Sequence, residues 1–332
     1  MSRIHRLVRT SAILMSLFSA AVEYLPAEET DRAPIEFVKR DGQITVAIDR
    51  LPVAVYFYND AKILRPYFAD VRARDGLQVT RHHPPVEGQD VMDHPTFHPG
   101  IWMAFGDING SDYWRLKARV RHAGFVEEPK CESGKASFAV HNQYLDQKDP
   151  SKVVCDETAR YTFVNRPEGY FLLWDSTFSS VHRFAFGDQE EMGLGFRVAT
   201  ALRVEKKSKD NAAAGNGTIL DSEGRKDGRE IWGNSADWCD YSGTMARQRV
   251  GITIFCHPDN FRPSWFHARD YGLLEANPFG RHAFGKGATS SVVVKPGEKL
   301  RLRYGILVHS GPEKSKTDYA AAFRDYQRLA GK

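Results

Sequence analysis

The chain has 332 residues, of which 42% are hydrophobic, 12% aromatic and 27% charged, as is typical of a folded globular protein. The formal net charge of +4 is spread along the chain without a dense block of Lys and Arg, which argues against a nucleic-acid partner. This length accommodates one large all-β domain or two smaller domains.

The N-terminus has the pattern of a signal peptide. Basic residues precede a short apolar run at Ser11–Val22, which ends in small residues around Ala21. The run is too short to span a bilayer, which takes about 20 apolar residues, and no later segment is apolar enough to do so. A frayed N-terminal helix on a cytosolic protein is the alternative. We predict a signal peptide over residues 1–22, cleavage near Ala21, export to the periplasm or the medium, and one domain over residues 33–332.

The four cysteines show no metal or redox motif. Cys131, Cys155, Cys239 and Cys256 lack CxxC spacing. The first two and the last two are each suited to form a disulfide, and buried free thiols are the alternative.

Short runs rich in β-branched and aromatic residues recur along the chain and predict strands. In chain order the runs are Ile35–Val38, Gln43–Asp49, Val53–Tyr58, Leu64–Phe68, Leu77–Arg81, Ile101–Phe105, Ala118–His122, Ala136–Leu145, Arg160–Asn165, Tyr170–Trp174, Phe184–Phe186, Phe196–Val204, Arg249–Phe255, Ser291–Val294 and Leu300–His309. Only Lys316–Ala330 has the apolar periodicity of a helix. We predict an all-β fold, a large antiparallel β-sandwich with a short C-terminal helix.

Imidazoles and carboxylates are concentrated in the stretch Thr80–Trp114. Its prolines and glycines exclude a long helix and indicate loops. An extended segment of this composition is more typical of a site than of a core. The residues of this stretch that we predict to bind substrate are His82, His83, Glu87, Asp93 and Trp102.

Asp93–Gly100 is the sharpest cluster within that stretch. In an extended segment His94 and His98 face the same side, and imidazoles titrate near neutral pH, which suits acid–base catalysis. Hydrogen bonding of these rings to loop backbone is the alternative. A divalent metal is not favoured, because HxxxH spacing requires a helix that the prolines exclude.

A second cluster, Asp188–Glu191, lies between an aromatic strand and a glycine-rich segment. Crowded carboxylates repel each other, which raises at least one pKa and suits general acid–base catalysis. A solvated turn is the alternative. We predict a catalytic role for Glu190 and a substrate contact from Asp188.

A third segment, Trp232–Gly243, interleaves Trp and Tyr with Asp and Asn, as sugar-binding sites do. We predict that Asp237 binds substrate and that Trp238 stacks on a sugar ring. An ordinary aromatic core edge is the alternative.

The fourth segment, Phe255–Gly280, includes Trp265 and adds His257, His267 and Arg269. His267 and Arg269 alternate along an extended stretch and should project to one face. Arg269 is suited to bind a carboxylate or stabilise an oxyanion, and a structural pairing with a neighbouring carboxylate is the alternative. We predict catalytic roles for His267 and Arg269 and a substrate contact from His257.

No GxSxG elbow, P-loop, GxGxxG after a strand or HExxH motif occurs in the sequence. Nucleotide-dependent chemistry and the common serine hydrolase design are therefore not expected.

Four motifs together resemble the DUF6807 family. They are DHPTFHPGIWMAFGDINGSDYW, FGDQEEMGLGFRVAT, DSEG with WGNSADWCDYSG, and HPDNFRPSWFHARDYGLLEANPFG. Many relatives have DHPHHRGLW where this chain has DHPTFHPGIW, so that His98 matches while Phe97 and Pro99 replace a His and an Arg. Any role that needs the extra histidine is therefore in doubt.

The family is often labelled methane oxygenase PmoA, which does not fit, because such subunits are membrane proteins and nothing after the leader can span a bilayer. The resemblance instead implies a fold similar to the galactose-mutarotase-like β-supersandwich. That fold hosts sugar epimerases, polysaccharide lyases, some glycosidases and non-catalytic sugar binders.

The resulting hypothesis is an exported carbohydrate-active enzyme, a hydrolase, lyase or epimerase, that acts on a glycan or sugar derivative in a concave cleft. His94, His98 and Glu190 would share acid–base duty, while His267 and Arg269 orient the substrate. No cofactor is implied. A non-catalytic glycan-binding protein and a metal-dependent enzyme built on His94, His98 and His257 or His267 are the alternatives.

Overall fold

The computed structural model describes residues 33–132, 134–207 and 209–331. The predicted signal peptide and its cleavage site near Ala21 lie outside these residues. The strands are β1 (Ile35–Arg40), β2 (Gln43–Ile48), β3 (Leu51–Phe57), β4 (Tyr67–Ala69), β5 (Ile101–Phe105), β6 (Val120–Glu132), β7 (Lys135–Leu145), β8 (Val153–Arg166), β9 (Gly169–Ser179), β10 (Phe184–Phe186), β11 (Met192–Arg197), β12 (Thr218–Asp221), β13 (Trp238–Met245), β14 (Gln248–Cys256), β15 (Trp265–Arg269), β16 (Leu273–Asn277), β17 (Val292–Val294) and β18 (Lys299–Pro312). The α-helices are α1 (Asp227–Ile231) and α2 (Tyr319–Ala330).

Two antiparallel sheets of eight strands each form the body of the molecule. The first sheet has the order β1-β2-β3-β4-β5-β11-β16-β15, and the second has the order β12-β13-β14-β18-β9-β8-β7-β6. Strands β10 and β17 pair separately. The predicted all-β, antiparallel fold with a short C-terminal helix is confirmed.

The two sheets pack face to face over an aromatic core. The ring centroid of Phe68 in β4 lies 5.1 Å from that of Tyr161 in β8 and 5.7 Å from that of Trp174 in β9. Tyr56 in β3 lies 4.9 Å from Tyr161, and all four side chains are buried. Aromatic pairs at such distances contribute about 0.5–1.5 kcal/mol each beyond the area that they bury. This core therefore holds the two sheets together.

Helix α2 covers the outer face of the second sheet. It begins after Asp318, whose Oδ1 accepts the backbone N–H of Ala321 at 2.9 Å and so caps the helix. Tyr326 of the helix packs against Phe255 of β14. Gly305 of β18 lies beneath this contact, where a Cβ would stand 2.5 Å from the Tyr326 ring. Glycine is required there for the helix to approach the sheet.

The first sheet has an outward face that loops cover. The side chains of Leu194 of β11 and Leu274 of β16 point into the core. The next positions along these strands, Gly195 and Glu275, therefore lie on the outward face. The β4–β5 and β10–β11 connections make hydrogen bonds to this face. Trp102 and Glu275 are fully buried as a result, although they lie outside the core between the sheets.

Two predicted strands differ from the structure. Residues Leu77–Arg81 are irregular, with isolated bridges at Gln78 and Thr80. The strand predicted at Phe196–Val204 instead covers Met192–Arg197. The glycines of its MGLG sequence are typical of a turn, yet here they fit a strand. A Cβ at Gly193 would lie 2.1 Å from the carbonyl oxygen of Ala276, and a Cβ at Gly195 would lie 3.3 Å from the Glu275 side chain.

The four cysteines, Cys131, Cys155, Cys239 and Cys256, are free thiols. The free-thiol alternative is therefore the one observed, and neither of the two suggested disulfides is formed. Among the described residues, no helix has both the length and the apolar character needed to cross a membrane.

Candidate functional site

Four strands carry a row of residues across the outward face of the first sheet. Trp102 of β5 lies opposite Gly195 of β11, Gly195 lies opposite Glu275 of β16, and Glu275 lies opposite His267 of β15. Because neighbouring strands are about 4.8 Å apart, the row spans about 14 Å. A Cβ at Gly195 would lie 3.3 Å from the Glu275 side chain and 3.4 Å from Trp102. Because Gly195 has no side chain, the row has a depression between Trp102 and Glu275.

An aromatic stack stands at the Trp102 end of this row. The ring of His98 lies parallel to Trp102 with centroids 5.2 Å apart, and His94 lies over His98 at 4.6 Å. Tyr271, in the turn between β15 and β16, stacks against His94 at 5.8 Å. His98 is buried, whereas the His94 side chain is 43% exposed and Tyr271 is half-buried. The stack thus presents His94 and Tyr271 to solvent.

Two buried arginines hold this stack in place. Asp93 Oδ1 accepts hydrogen bonds from Arg197 at 2.7 Å and from Arg81 at 3.0 Å. Arg197 Nη1 also donates to His98 Nδ1 at 3.2 Å, and its guanidinium carbon lies 4.6 Å from the ring centroid of Tyr271. Because Nδ1 of His98 accepts, the proton of the neutral ring is on Nε2. The arginine therefore fixes both the position and the tautomer of His98.

The protonation of this group follows from its surroundings. Burial lowers the pKa of His98 well below its ordinary value, and the positive charges of Arg197 and His94 lower it further. Burial alone would raise the pKa of Asp93, but the hydrogen bond with His94 and the charges of Arg197 and Arg81 lower it below its usual range. At neutral pH His98 is a fixed, uncharged ring and Asp93 is ionised.

An ionic group stands at the other end of the row. Arg269 Nη2 donates to Glu190 Oε2 at 2.9 Å, and Arg269 Nε donates to His267 Nε2 at 3.0 Å. His267 Nδ1 lies 3.3 Å from Glu275 Oε2. The side chains of Glu190 and Arg269 are 32% and 38% exposed, while His267 and Glu275 are buried. A continuous chain of contacts therefore leads from solvent to the buried carboxyl group.

Both buried members of this group are uncharged at neutral pH. Burial, followed by the charge of Arg269, lowers the pKa of His267 to about 3. Burial raises the pKa of Glu275 well above its usual value, and the negative charges of Glu191 and Glu190 raise it further. Since His267 Nε2 accepts from Arg269, its Nδ1 carries the proton and donates to Glu275. The other oxygen of Glu275, Oε1, is buried and has no hydrogen-bond partner among the described residues.

Tyr271 connects the two ends of the row. Its pKa is raised to about 12, first by burial, and the charges of Arg197, Arg269, Asp93 and Glu191 all act on it. The charges of both groups therefore reach this ring, and Arg197 lies directly against it. The outward face thus combines one half-buried aromatic ring with ionic groups on either side.

Three predicted substrate-binding residues of the β4–β5 connection, His82, His83 and Glu87, lie away from the row. His82 Nδ1 lies 2.7 Å from Asp90 Oδ2. His83 packs edge-on against Tyr67, with centroids 5.2 Å apart. Glu87 is exposed and forms no ion pair with the described part of the chain. These residues shape the connection that carries His94 and His98, and they do not join the row.

Asp188 stabilises a loop. Its carboxylate accepts the backbone N–H groups of His282, Ala283 and Ser290 at 2.7–3.0 Å. Although burial would raise the pKa of Asp188, these hydrogen bonds lower it. Because both oxygens are occupied by the β16–β17 connection, this arrangement argues against the predicted substrate contact.

Asp237, Trp238 and His257 belong to the second sheet. Trp238 begins β13 and stacks against Tyr319 of α2, with centroids 4.8 Å apart. His257 Nε2 contacts the carbonyl oxygen of Gly331, just after α2, at 3.1 Å. Asp237 is exposed beside them. The prediction that these three share a cleft with the histidines is corrected, because their strands pair in the sheet that the C-terminal helix covers.

Among the described residues, no three His, Cys, Asp or Glu side chains are grouped so that they could hold a metal ion. His257 lies on the other sheet from His94 and His98, and Nε2 of His267 accepts a hydrogen bond from Arg269. The metal-dependent alternative built on these histidines is therefore not supported.

The site contains four residues that the sequence analysis did not assign to it: Arg81, Arg197, Tyr271 and Glu275. Strand alternation was a usable signal for two of them. It groups Gly195 with Arg197 on β11, and Glu275 faces the same side of the sheet as His267 across β16 and β15. Arg81 and Tyr271 lie in irregular segments, where no periodicity indicates which way a side chain points.

Comparisons with known proteins identify a family and a set of distant folds. A model described as "Family of unknown function (DUF6807)" matches residues 43–324. No curated protein matches the chain.

Solved structures give distant matches. The GH36 alpha-galactosidase AgaB from Geobacillus stearothermophilus is 10% identical with a TM-score of 0.42, and the match covers 84% of this chain and 41% of that one. The GalM/aldose epimerase homologue from C. elegans is 9% identical with a TM-score of 0.33, covering 84% of this chain and 99% of that one. Galactose 1-epimerase from Lactobacillus acidophilus is 10% identical with a TM-score of 0.39 and the same coverages of 84% and 99%. The chain thus spans well under two thirds of the alpha-galactosidase, and likeness at this level says nothing about the reaction.

Proposed function

Because this chain belongs to the DUF6807 family, whose description names no activity, we propose a function from the outward face itself: a carbohydrate-active enzyme that transfers a proton to and from a sugar bound over Tyr271. We propose further that the protein is exported, since the N-terminal residues have the pattern of a signal peptide.

One observation carries the proposal, namely the position of Tyr271. Its half-buried ring stacks against His94 and has the guanidinium carbon of Arg197 at 4.6 Å from its centroid, and the charge of Arg269 also acts on it. A flat apolar ring face surrounded by charged hydrogen-bonding groups is the combination that binds sugars, because a sugar has an apolar face and a polar edge. His94 of the stack contacts this ring, and the charge of Arg269, which pairs with Glu190, acts on it.

The exposure of the ionisable groups assigns their roles in the proposal. Glu190 and His94 are partly open to solvent and are suited to act as base and acid. His98 and His267 are buried, uncharged and engaged by arginines, so they position the exposed groups and do not exchange protons with substrate. Arg269 orients the Glu190 carboxylate and can stabilise negative charge that develops on the sugar.

A carboxylate paired with an imidazole favours epimerisation or elimination over hydrolysis. Glycosidases generally use two carboxyl groups, one of them protonated, on either side of the bond that is cleaved. Here Glu191, the carboxylate next to Glu190 in the chain, is engaged by Arg115 at 2.7 Å. Glu275 is buried behind His267. Proton abstraction by Glu190 with protonation by His94 needs neither a second free carboxylate nor a metal ion.

Binding and turnover by variants of Tyr271 and Glu190 test the proposal. The full chain would be screened against mono- and oligosaccharides, with calorimetry for binding and solvent deuterium incorporation, detected by NMR, for proton transfer. We expect Tyr271→Ala to lose binding and Tyr271→Phe to keep it. We expect Glu190→Gln to keep binding but lose deuterium incorporation, while the surface variant Glu128→Gln behaves as wild type. Sugar binding without exchange by the wild type would indicate a glycan-binding protein instead.

A further inference from the structure

Trp265 lies on the same outward face as the site, outside the aromatic stack and the ionic group. It precedes His267 and Arg269 at alternate positions of β15, so all three project to one side of the sheet. The step from Trp265 to His267 is about 7 Å along the strand. Trp265 is half-buried, and its ring therefore continues the face beyond the ionic group.

One arginine lies beside this tryptophan, and a second lies in a neighbouring segment. The guanidinium carbon of Arg262 lies 5.5 Å from the ring centroid of Trp265 and 5.3 Å from that of Phe261. Phe279, two residues before Arg281, lies 5.2 Å from Phe261, which brings the segment of Arg281 to this side of the site. Burial lowers the pKa of Arg262, and the positive charge of Arg281 lowers it further. Like charges at close range repel, and a nearby anion would relieve that repulsion.

Neither of these arginines forms an ion pair with the described part of the chain. Arg281 Nε donates to the carbonyl oxygen of Ala288 at 2.7 Å. Arg262 Nη1 is buried and has no hydrogen-bond partner among the described residues. Asp188 is the acid whose charge reaches Arg262, but its oxygens already accept backbone N–H groups of the β16–β17 connection. Positive charge and unused donors therefore remain beside Trp265.

Arg269 of the ionic group and Arg301 of the second sheet, in contrast, each have a carboxylate partner. Arg269 is paired with Glu190 at 2.9 Å, and Arg301, on the second sheet, is paired with Asp175 at 2.7 Å. A guanidinium group next to an aromatic ring, with free donors and no carboxylate, is suited to bind a carboxylate or sulfate of a ligand through two hydrogen bonds. The ring of Trp265 would contact the apolar face of the same unit.

We propose that Phe261, Arg262, Trp265 and Arg281 form a subsite for an acidic sugar unit, so that the substrate is an oligosaccharide carrying carboxylate or sulfate groups. This inference rests on the proposed function, because it places the subsite on the same face as Tyr271, at the opposite end of β15. A unit further along the same oligosaccharide would then lie over Tyr271, where Glu190 and His94 act on it.

The test is a binding screen that pairs each acidic oligosaccharide with a neutral counterpart. The full chain would be titrated with oligogalacturonates and their methyl esters, and with sulfated galactose oligosaccharides and their desulfated forms. We expect the acidic members to bind at least about tenfold more tightly, with an advantage that shrinks at high salt. The carboxylated and sulfated series together show which oxyanion is preferred.

Variants separate this inference from the proposed function. The double variant Arg262→Gln/Arg281→Gln should lose the preference for acidic ligands and keep neutral binding, while Arg301→Gln, which removes a paired surface arginine, should change neither. Equal binding of acidic and neutral members by the wild type would overturn the acidic subsite and leave the sugar site intact. An acidic preference that survives the double variant would also overturn it. Absence of binding by every sugar would contradict the proposed function as well.

Discussion

Two buried groups of histidine and carboxylate among the described residues, Asp240 with His309 on the second sheet and Glu275 with His267 on the first, differ in how many of their polar atoms have hydrogen-bond partners. On the second sheet, Asp240 accepts hydrogen bonds from Ser242, Thr253 and Tyr319 at 2.6–2.8 Å, and His309 Nε2 lies 2.8 Å from its Oδ1. All its oxygens are engaged, and Asp240 and His309 are 1% exposed. This group ties the start of the C-terminal helix to the sheet.

The group on the first sheet uses the same residue types in another way. Glu275 contacts His267 through one oxygen, and its other oxygen is buried without a hydrogen-bond partner in the described part of the chain. The contacts continue through Arg269 to Glu190, which solvent reaches. Buried polar groups are normally satisfied, and an exception calls for an explanation such as catalysis. In the structural group every carboxylate oxygen therefore has a hydrogen-bond partner. In the candidate site the contacts reach solvent at Glu190, and one oxygen of Glu275 has no partner among the described residues.

The largest expected effect is on the structural group. Asp240→Asn should lower the free energy of unfolding by about 3–5 kcal/mol, because it leaves a buried network with its central charge removed. Urea unfolding at neutral pH measures this. Asp175→Asn, which removes the surface partner of Arg301, should cost less than about 1 kcal/mol. Equal effects of the two substitutions would contradict the structural role of Asp240.

The next effect concerns catalysis rather than stability. Glu190→Gln should reduce proton exchange at the sugar by about 100-fold or more, since it removes the proposed base. Its free energy of unfolding should change by less than about 1 kcal/mol, because the pair with Arg269 is partly exposed. An inactive but strongly destabilised variant would indicate that Glu190 belongs to the structure of the loop.

Acid should weaken the fold through His267. Its folded pKa is about 3, below the unfolded value of about 6.5, so the unfolded chain binds the proton first as pH falls. The stabilisation is complete above the unfolded pKa and is lost as pH falls from about 6.5 towards 3, by about 2–3 kcal/mol between neutral pH and about 4.5. His267→Gln should show a correspondingly flatter loss of stability with acid. A variant with the same pH dependence as wild type would show that His267 is not the group responsible.

The smallest effect is expected at Glu275. Because burial keeps this carboxyl uncharged, Glu275→Gln replaces one neutral group by another of similar shape and should change the free energy of unfolding by about 1 kcal/mol or less. A loss as large as that of Asp240→Asn would show that Glu275 is ionised in the folded protein, and the contrast between the two groups would disappear.

The fold was predictable because its strands follow simple patterns. Runs such as Gln43–Asp49 and Leu300–His309 are rich in β-branched residues, and turn sequences separate them. Strand β11 was displaced in the prediction because Gly193 and Gly195 are typical of turns. Both are glycine because a Cβ would meet a neighbouring strand, namely the carbonyl oxygen of Ala276 at Gly193 and the side chains of Glu275 and Trp102 at Gly195. The local sequence does not show these contacts.

Part of the site was predictable from strand alternation and local composition. Alternation along a strand correctly placed His267 and Arg269 on one face, and the dense histidine segment pointed to His94 and His98. Trp238 and His257 were grouped with them because their segments have the same composition. Composition cannot indicate which of two sheets a strand joins, and that choice separates these two residues from the site.

The order of the strands also determines when the site can exist. Asp93 meets Arg197 across 104 residues of chain, and Glu190 meets Arg269 across 79. Contacts between such distant segments require the closure of long loops before they form, which slows folding and places them late. During refolding, sugar binding should therefore appear after the bulk of the β-structure, and a fragment that ends before β16 should have no Tyr271 platform. Ligand binding would then show when the long-range contacts of the first sheet have formed.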